Sequence, residues 1–252
     1  MDIEIINTGR STLLRGRDNN GHVKQVHIPN YVKYAEAYAQ ITKTIENINN
    51  KNKIDYMPEL RKTKNAEMLA SSVIPQLRKV INDTKTDKRN ALERLARLQE
   101  PLELQKADLV YEGRFIDQLE AMSLADRLRT LSGELTIEQT SALIRHDDLN
   151  RLCADETISN AVLDRHAILK GSVQIAGNHA NLPSMADPFV IGPNMEAARA
   201  DASAQLNALK VEIASFNDSG VVVKEFAEIL NAVCDRPNSD ADFANQMLGI
   251  AP

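Results

Sequence analysis

From Met195 to Phe216 the residues Met195, Ala198, Ala202, Leu206, Leu209, Ile213 and Phe216 recur at intervals of three and four. That spacing puts all seven on one face of an α-helix and leaves the opposite face polar. A stripe of this length has to be buried against other apolar faces, so the rest of the chain must supply them. It does so with few aromatics. The chain of 252 residues is 43% hydrophobic but only 4% aromatic, with no Trp. Its core is therefore built from Leu, Ile, Val, Met and Ala, a composition that suits helix packing. The length is ample for a core without disulfides or metals.

Further helical stripes run along the chain. Pro29 ends an extended segment, and Asn30 can cap a helix from Tyr31 to about Asn47. Its stripe is Tyr34, Ala37 or Tyr38, Ile41, Ile45 and Ile48. Tyr31, Tyr34 and Tyr38 fall on roughly one side and read as core rather than as a stacking platform. A second helical region runs from about Pro58 to Asp83, with Pro75 expected to kink or break it near Ile74. A third begins near Thr86 and Asp87. In it Leu95, Leu102, Leu109 and Ile116 recur every seven residues, a coiled-coil-like seam interrupted by Gln105 and Glu112. Pro101 should kink or restart this helix, and an ordinary bundle helix is the preferred reading over a coiled coil.

Local signals mark the later helices. Ser123 with Asp126, and Thr136 with Gln139, have capping-box spacing. Asp155 caps a helix through Ile158, Val162 and Ile168, which Lys170-Gly171 is expected to close. Pro193 suits the first turn of the long stripe. Asp218-Ser219 read as the cap of another helix through Val222, Phe226, Ile229 and Val233, and Ser239 with Asp242 as the cap of a short last one.

The first 28 residues read differently, as a small β meander. "IEII" is a first strand and Gly9-Arg10-Ser11 a turn. "TLLRGR" and "HVKQVHI" are then the arms of a hairpin, with neither face clearly buried. Asn20-Gly21 is the pair that a two-residue type I′ turn prefers. The stretch is not a calcium loop, since Gly16 stands where a ligand is needed, and it has no phosphate-loop glycine pattern. A hairpin of this kind is a candidate arm that reaches a neighbour, presenting Arg15, Arg17, Lys24 and His27. The expected fold is mainly α, a multi-helix bundle with an N-terminal β hairpin or small meander. Its expected parts are 1–57 (hairpin and first helix), 58–122 (long helices) and 123–252 (a compact helical part).

Residues 172–193 form a long loop with three prolines and two glycines and no helical period. Loops of that length inside a domain are usually functional or disordered. This one carries Met185, Phe189, Val190 and Ile191, apolar residues suited to a docked segment.

Charge is split along the chain. Residues 1–100 carry a net +6 and residues 101–252 a net −11. Such a molecule can pack head to tail with copies of itself or set its basic half on an acidic partner. The basic residues concentrate in 51–97, where Arg61, Lys62, Lys64, Arg78, Lys79, Lys85, Lys88 and Arg89 could line a phosphate-facing or acidic-partner stripe. Acids interrupt that run and no aromatics interleave it, so base stacking is disfavoured.

Chemistry is scarce. Cys153 and Cys234 have no C-x-x-C spacing and read as reduced residues on apolar stripes. "RHDDL", with His146 and Asp147, could hold a divalent metal together with Asp164 and His166, but a charged helix C-terminus is the simpler reading. No nucleophile elbow or oxyanion glycine loop is present. The sequence therefore implies no catalytic residue, no metal and no cofactor. No run is long and apolar enough to span a membrane, and the start has no secretory signal, so synthesis in the cytoplasm is expected. The expected role is non-enzymatic: a structural or assembly protein in a homo-oligomer or larger protein assembly. The texture is similar to that of helical phage particle or head–tail assembly proteins, which would place it in a virion. Nucleic-acid contact through 51–97 is the alternative, and a metal-dependent hydrolase at His146 and Asp147 a distant one.

Overall fold

A computed structural model of the chain describes residues 2–17, 22–104, 107–146, 149–153, 155–181, 183, 185 and 188–233. Among these lie eight α-helices and one three-stranded antiparallel sheet. The protein is mainly α with an N-terminal β meander, as the sequence implies. The strands are β1 (Asp2–Asn7), β2 (Ser11–Arg17) and β3 (Val23–Pro29). The helices are α1 (Ala35–Asp55), α2 (Pro58–Gln99), α3 (Leu109–Ala121), α4 (Leu124–Ser132), α5 (Ile137–Arg145), α6 (Leu149–Cys153), α7 (Glu156–Ile175) and α8 (Met195–Val233). Contacts divide the chain into two compact units, Met1–Arg89 with Glu212–Pro252, and Asn90–Val211. Both α2 and α8 contribute to each. The parts expected from the sequence follow chain order, whereas here the C-terminal half of α8 belongs with the first 89 residues.

In the first unit the sheet is a wall of the core. Leu14, Val26 and Ile28 point to one face and are fully buried. They pack with Tyr38, Ile41 and Ile45 of α1, Leu69, Val73 and Leu77 of α2, and Val222, Phe226 and Ile229 of α8. One face of the hairpin is thus clearly buried, contrary to the reading from alternation alone. The ring of Tyr38 stacks on Phe226 at 5.7 Å. Edge strand β3 is covered rather than free: its His27 backbone N–H donates to Glu225 Oε2 at 2.6 Å, and Lys24 pairs with Glu228 at 3.1 Å.

The first hairpin turn forms where the sequence implies, whereas the register of the second pair of strands differs from expectation. Gly9-Arg10 is the two-residue turn, with Gly9 at φ 76 and Thr8 N–H donating to Ser11 O at 3.0 Å. Glycine at the first central position is what a type II′ hairpin turn requires. Between β2 and β3, Arg17 stands opposite Val23. A two-residue turn at Asn20-Gly21 would set Arg17 opposite Lys24, so this register is one residue out of phase with it. Residues 18–21 themselves lie outside the described part.

Helix α1 starts at Ala35 rather than Tyr31. The Asn30 Nδ2 donates to Gly9 O at 2.9 Å, tying the end of β3 to the first turn. Tyr34 then makes the corner at φ 65, a left-handed conformation uncommon for a bulky residue. Its hydroxyl donates to Asp87 Oδ2 at 2.7 Å. The three tyrosines consequently separate: Tyr38 is core, Tyr34 is half-buried and Tyr31 is exposed.

Four helix boundaries read from local punctuation do not occur. The break expected between Asp83 and Thr86 is absent, since α2 is continuous there. Helix α2 runs through Pro75, because Val73, Ile74 and Leu77 hold it on the core while Pro75 itself faces solvent. Proline removes one backbone bond there, a loss that water can offset on an exposed face. Helix α7 runs through Gly171, where a Cβ would lie 3.4 Å from Ala202 Cβ. That glycine is a point of close approach between α7 and α8, not a helix end. Helix α8 runs through Ser219, which is buried and donates back to Ser215 O at 3.0 Å instead of capping. The helix expected at Ser239 and Asp242, like Cys234, lies outside the described residues.

The second unit holds a smaller core of Phe115, Ile116, Leu119, Leu131, Leu143, Leu152, Cys153 and Val162. The heptad seam is not continuous. Helix α2 ends at Gln99, α3 restarts at Leu109 under the Asp108 cap, and Leu109 is exposed. Leu102 lies in the connection. A coiled coil is therefore absent from this seam, and α3 is an ordinary bundle helix. The caps at Ser123, Asp155 and the full capping box at Thr136 and Gln139 form as their spacing implies.

Candidate interaction site

The connection after α2 is anchored by buried polar groups of the second unit. Arg145 Nε donates to Glu112 Oε2 at 2.8 Å, and its Nη2 reaches Leu102 O. The Glu112 side chain is 1% exposed, so the pair satisfies a carboxylate that would otherwise be buried with its charge unmatched. Ser141 Oγ accepts from Leu102 N–H at 2.9 Å. One turn of α7 adds two more anchors. Lys170 Nζ donates to Arg97 O and Glu100 O at 2.7 and 3.0 Å, closing the end of α2. His166 Nε2 lies 2.8 Å from Glu100 O, and its Nδ1 lies 2.9 Å from Thr140 Oγ1. The carbonyl can only accept, so Nε2 carries the proton and Nδ1 accepts from the threonine. Burial pushes the His166 pKa down, partly opposed by the Glu100 carbonyl and reinforced by the nearby Lys170 charge. The imidazole is thus held neutral as a brace.

On this framework the unit presents two unusual surfaces. The first is the loop after α7. A 3-10 turn at Ala176–Asn178 leads to a bridge between Ala180 and Pro193. Asn181 N–H donates to Gly192 O at 3.3 Å and Asn194 N–H to His179 O at 2.6 Å. His179 also pairs with Asp201 at 3.1 Å. The base is therefore closed, with Gly192 at φ 97 making the return. Beyond that base Met185 is fully exposed, Phe189 is 86% exposed and Ile191 94% exposed, while Val190 is half-buried. A cluster of large apolar side chains at a pinned loop tip is a mark of an interaction surface.

The second is a cleft of about 740 Å³. It lies between residues 134–138 at the start of α5, the outer face of α7 and the start of α8. Leu135, Ile137, Ile168, Leu169, Val173 and Met195 give it an apolar wall. Glu134, Glu138, Asp164, Arg165 and Arg199 add charge. Asp164 is held by Lys210. Arg165 Nη1 is buried without a hydrogen-bond partner among the described residues.

The residues singled out in the sequence fall into three groups. Met185, Phe189, Val190 and Ile191 come together on the loop. Arg15 and His27 lie on the solvent face of the docked sheet, Lys24 is paired to Glu228, and the Arg17 side chain lies outside the described part. Three residues of the basic stripe make intramolecular bonds. Arg61 donates to Tyr56 O and Lys53 O at 2.7 and 2.9 Å, capping α1. Lys64 pairs with Glu67, and Lys88 bonds Asn217 Oδ1. Arg78, Lys79, Lys85 and Arg89 are exposed on α2, and the Lys62 side chain is outside the described part.

The metal reading at His146 is not assembled by the described residues. His146 Nε2 lies 3.9 Å from Glu112 Oε2, but that carboxylate is held by Arg145. His166 is spent on Thr140 and Glu100, and Asp164 on Lys210. Among the described residues no three His, Cys, Asp or Glu side chains group to hold a metal, and Asp147 lies outside them. Cys153 is buried, which pushes its thiol pKa up and makes it a packing residue rather than a nucleophile. No described helix is long and apolar enough to cross a membrane.

Sequence reasoning missed the cleft, the Arg145–Glu112 pair and the His166 brace. One signal was present: Glu112 interrupts an apolar register, and a charge at a core position implies a buried partner. No protein-family model matches this chain, and no curated protein or solved structure is significantly similar to it.

Proposed function

We propose that this chain is a non-enzymatic structural protein that works within an oligomeric assembly, with the 180–193 loop as its principal contact. The observation that carries the reading is the loop itself: Met185, Phe189 and Ile191 lie open to solvent on a base closed by backbone bonds. Exposing three large apolar side chains opposes solubility unless a partner covers them. A virus particle, as in phage head–tail assembly, is one setting that needs such a part.

Light scattering after size exclusion, over a wide range of protein concentration, tests this. A discrete oligomer, or mass that grows with concentration, is expected. A mass of 28.0 kDa at every concentration would contradict self-assembly. A nucleic-acid partner draws less support, because Arg61, Lys64 and Lys88 are committed to intramolecular bonds. Arg78, Lys79, Lys85 and Arg89 of that stripe lie on the exposed face of α2.

A further inference from the structure

Strand β1 is the free edge of the sheet. Its backbone pairs with β2, and among the described residues no other backbone group bonds it. The far edge differs, since Glu225 of α8 accepts the His27 N–H. Which β1 groups are left over follows from the ladder. Thr8 N–H donates to Ser11 O at 3.0 Å, so these residues form a bonded pair. Bonded and non-bonded pairs alternate along an antiparallel ladder. Ile6 stands opposite Leu13 and Glu4 opposite Arg15, so Ile6 and Glu4 bond β2. Ile3, Ile5 and Asn7 then turn their N–H and C=O groups to the free side. The same alternation turns the backbone of His27, opposite Leu13, away from β2, and that is where its N–H is found.

A row of unpaired backbone groups is a template for another strand. Residues 2–7 hold no proline, lysine or glycine to blunt the edge, and the ladder runs from Asp2 to Asn7 without a bulge. The side chains point to the occupant. On the core face Ile5 stands beside Leu14, and Leu14 beside Val26. Leu14 and Val26 are fully buried, whereas Ile5 is only half-buried against the same core. On the solvent face Glu4 stands beside Arg15, and Ile6 beside Leu13. A second β1, related by a two-fold axis normal to the sheet and centred on Ile5, sets the two Ile5 residues side by side. The apolar row then continues across the junction and Ile5 becomes covered. Glu4 falls beside Ile6 of the second copy, so no carboxylate faces another. All three outward residues are used, for roughly six new backbone bonds. Centring on Glu4 would oppose two carboxylates and leave Asn7 unpaired, and centring on Ile6 would leave Ile3 unpaired.

We propose that β1 is a homotypic edge, at which two copies join by antiparallel β1–β1 pairing centred on Ile5. The proposal rests on the assembly reading above and adds a second contact, in the other unit of the chain. One strand pair is a small contact, so pairing is expected where the loop contact already gathers copies. It is isologous and closes on itself, and therefore joins assembled copies two by two.

Cysteine cross-linking of the full chain tests both the pairing and its register. Two variants are made, Glu4→Cys and Ile6→Cys, each with Cys234→Ser. Glu4 is exposed and Ile6 lies on the solvent face, so both should keep the wild-type circular dichroism. In the proposed register these positions form a non-bonded pair, whose close approach suits a disulfide. Mild oxidation of an equimolar mixture should link the two variants, and each variant alone should link an order of magnitude less. Equal linking of Glu4→Cys with itself overturns the register. An oligomeric wild type whose mixture does not link overturns the pairing, leaves the edge to a strand of another protein, and lets the assembly reading stand. Register-specific linking in a chain that is monomeric by light scattering upholds the pairing and overturns the loop contact. A monomeric wild type whose mixture does not link overturns both.

Discussion

Arg145→Met should be the most damaging single change in the second unit. The substitution keeps an unbranched side chain of similar reach but removes the cation facing Glu112. Four bonds disappear: Nε to Glu112 Oε2 at 2.8 Å, Nη2 to Glu112 Oε1 and to Ser141 Oγ, each at 3.4 Å, and Nη2 to Leu102 O. The carboxylate left behind is 1% exposed, so water replaces little of what is lost. Stripping one partner from a buried pair costs about 3–5 kcal/mol. Adding Glu112→Gln removes the stranded charge, and most of that loss should return. What persists is the orphaned Leu102 carbonyl, worth about 1–3 kcal/mol. Urea unfolding followed by far-ultraviolet circular dichroism reads both values. If Arg145→Met costs less than about 1 kcal/mol, or if Glu112→Gln deepens the loss, the pair does not hold the connection after α2 as described.

Three further outcomes follow from the same structure. The folded-state pKa of His166 is lowered by burial, so the unfolded chain takes up the proton first as pH falls. Stability should be full above about pH 6.5, decline as pH drops below it, and level off under the lowered folded value; His166→Gln should flatten that slope in urea midpoints measured across the window. Tyr34 and Tyr38 are raised to about 12, chiefly by burial, and for Tyr34 also by Asp87. Their contribution is present below pH 10 and lost as pH rises through 12, so late phenolate absorbance should shrink by one residue in Tyr34→Phe, which also gives up about 1 kcal/mol. Leu14→Ala should destabilise the first unit by about 2–5 kcal/mol in thermal or urea unfolding, and no effect would mean that the sheet is a free arm after all.

The helix-rich fold was legible because its signals are local and periodic. The stripe from Met195 to Phe216 and the caps at Ser123, Thr136 and Asp155 depend on residues within a turn or two of one another. Punctuation failed where tertiary packing outweighed it. Pro75 sits on an exposed face of a helix held by Val73 and Leu77, Gly171 lies where α7 closely approaches Ala202, and buried Ser219 finds its partner one turn back. Asn30 does not cap α1, because the left-handed corner at Tyr34 sets the helix start at Ala35. The loop tip was visible as an apolar run without helical period. The cleft was not, since its walls come from three segments spread over 134–199, and no spacing rule joins them.

The most direct measurement compares the wild type with Met185→Ser, Phe189→Ser and Ile191→Ser combined, by light scattering across concentration. All three side chains are exposed, so the variant should fold with unchanged circular dichroism and thermal midpoint. We expect the wild type to form oligomers and the variant to remain at 28.0 kDa. Equal masses for the two at every concentration would contradict the assignment of the 180–193 loop as the assembly contact.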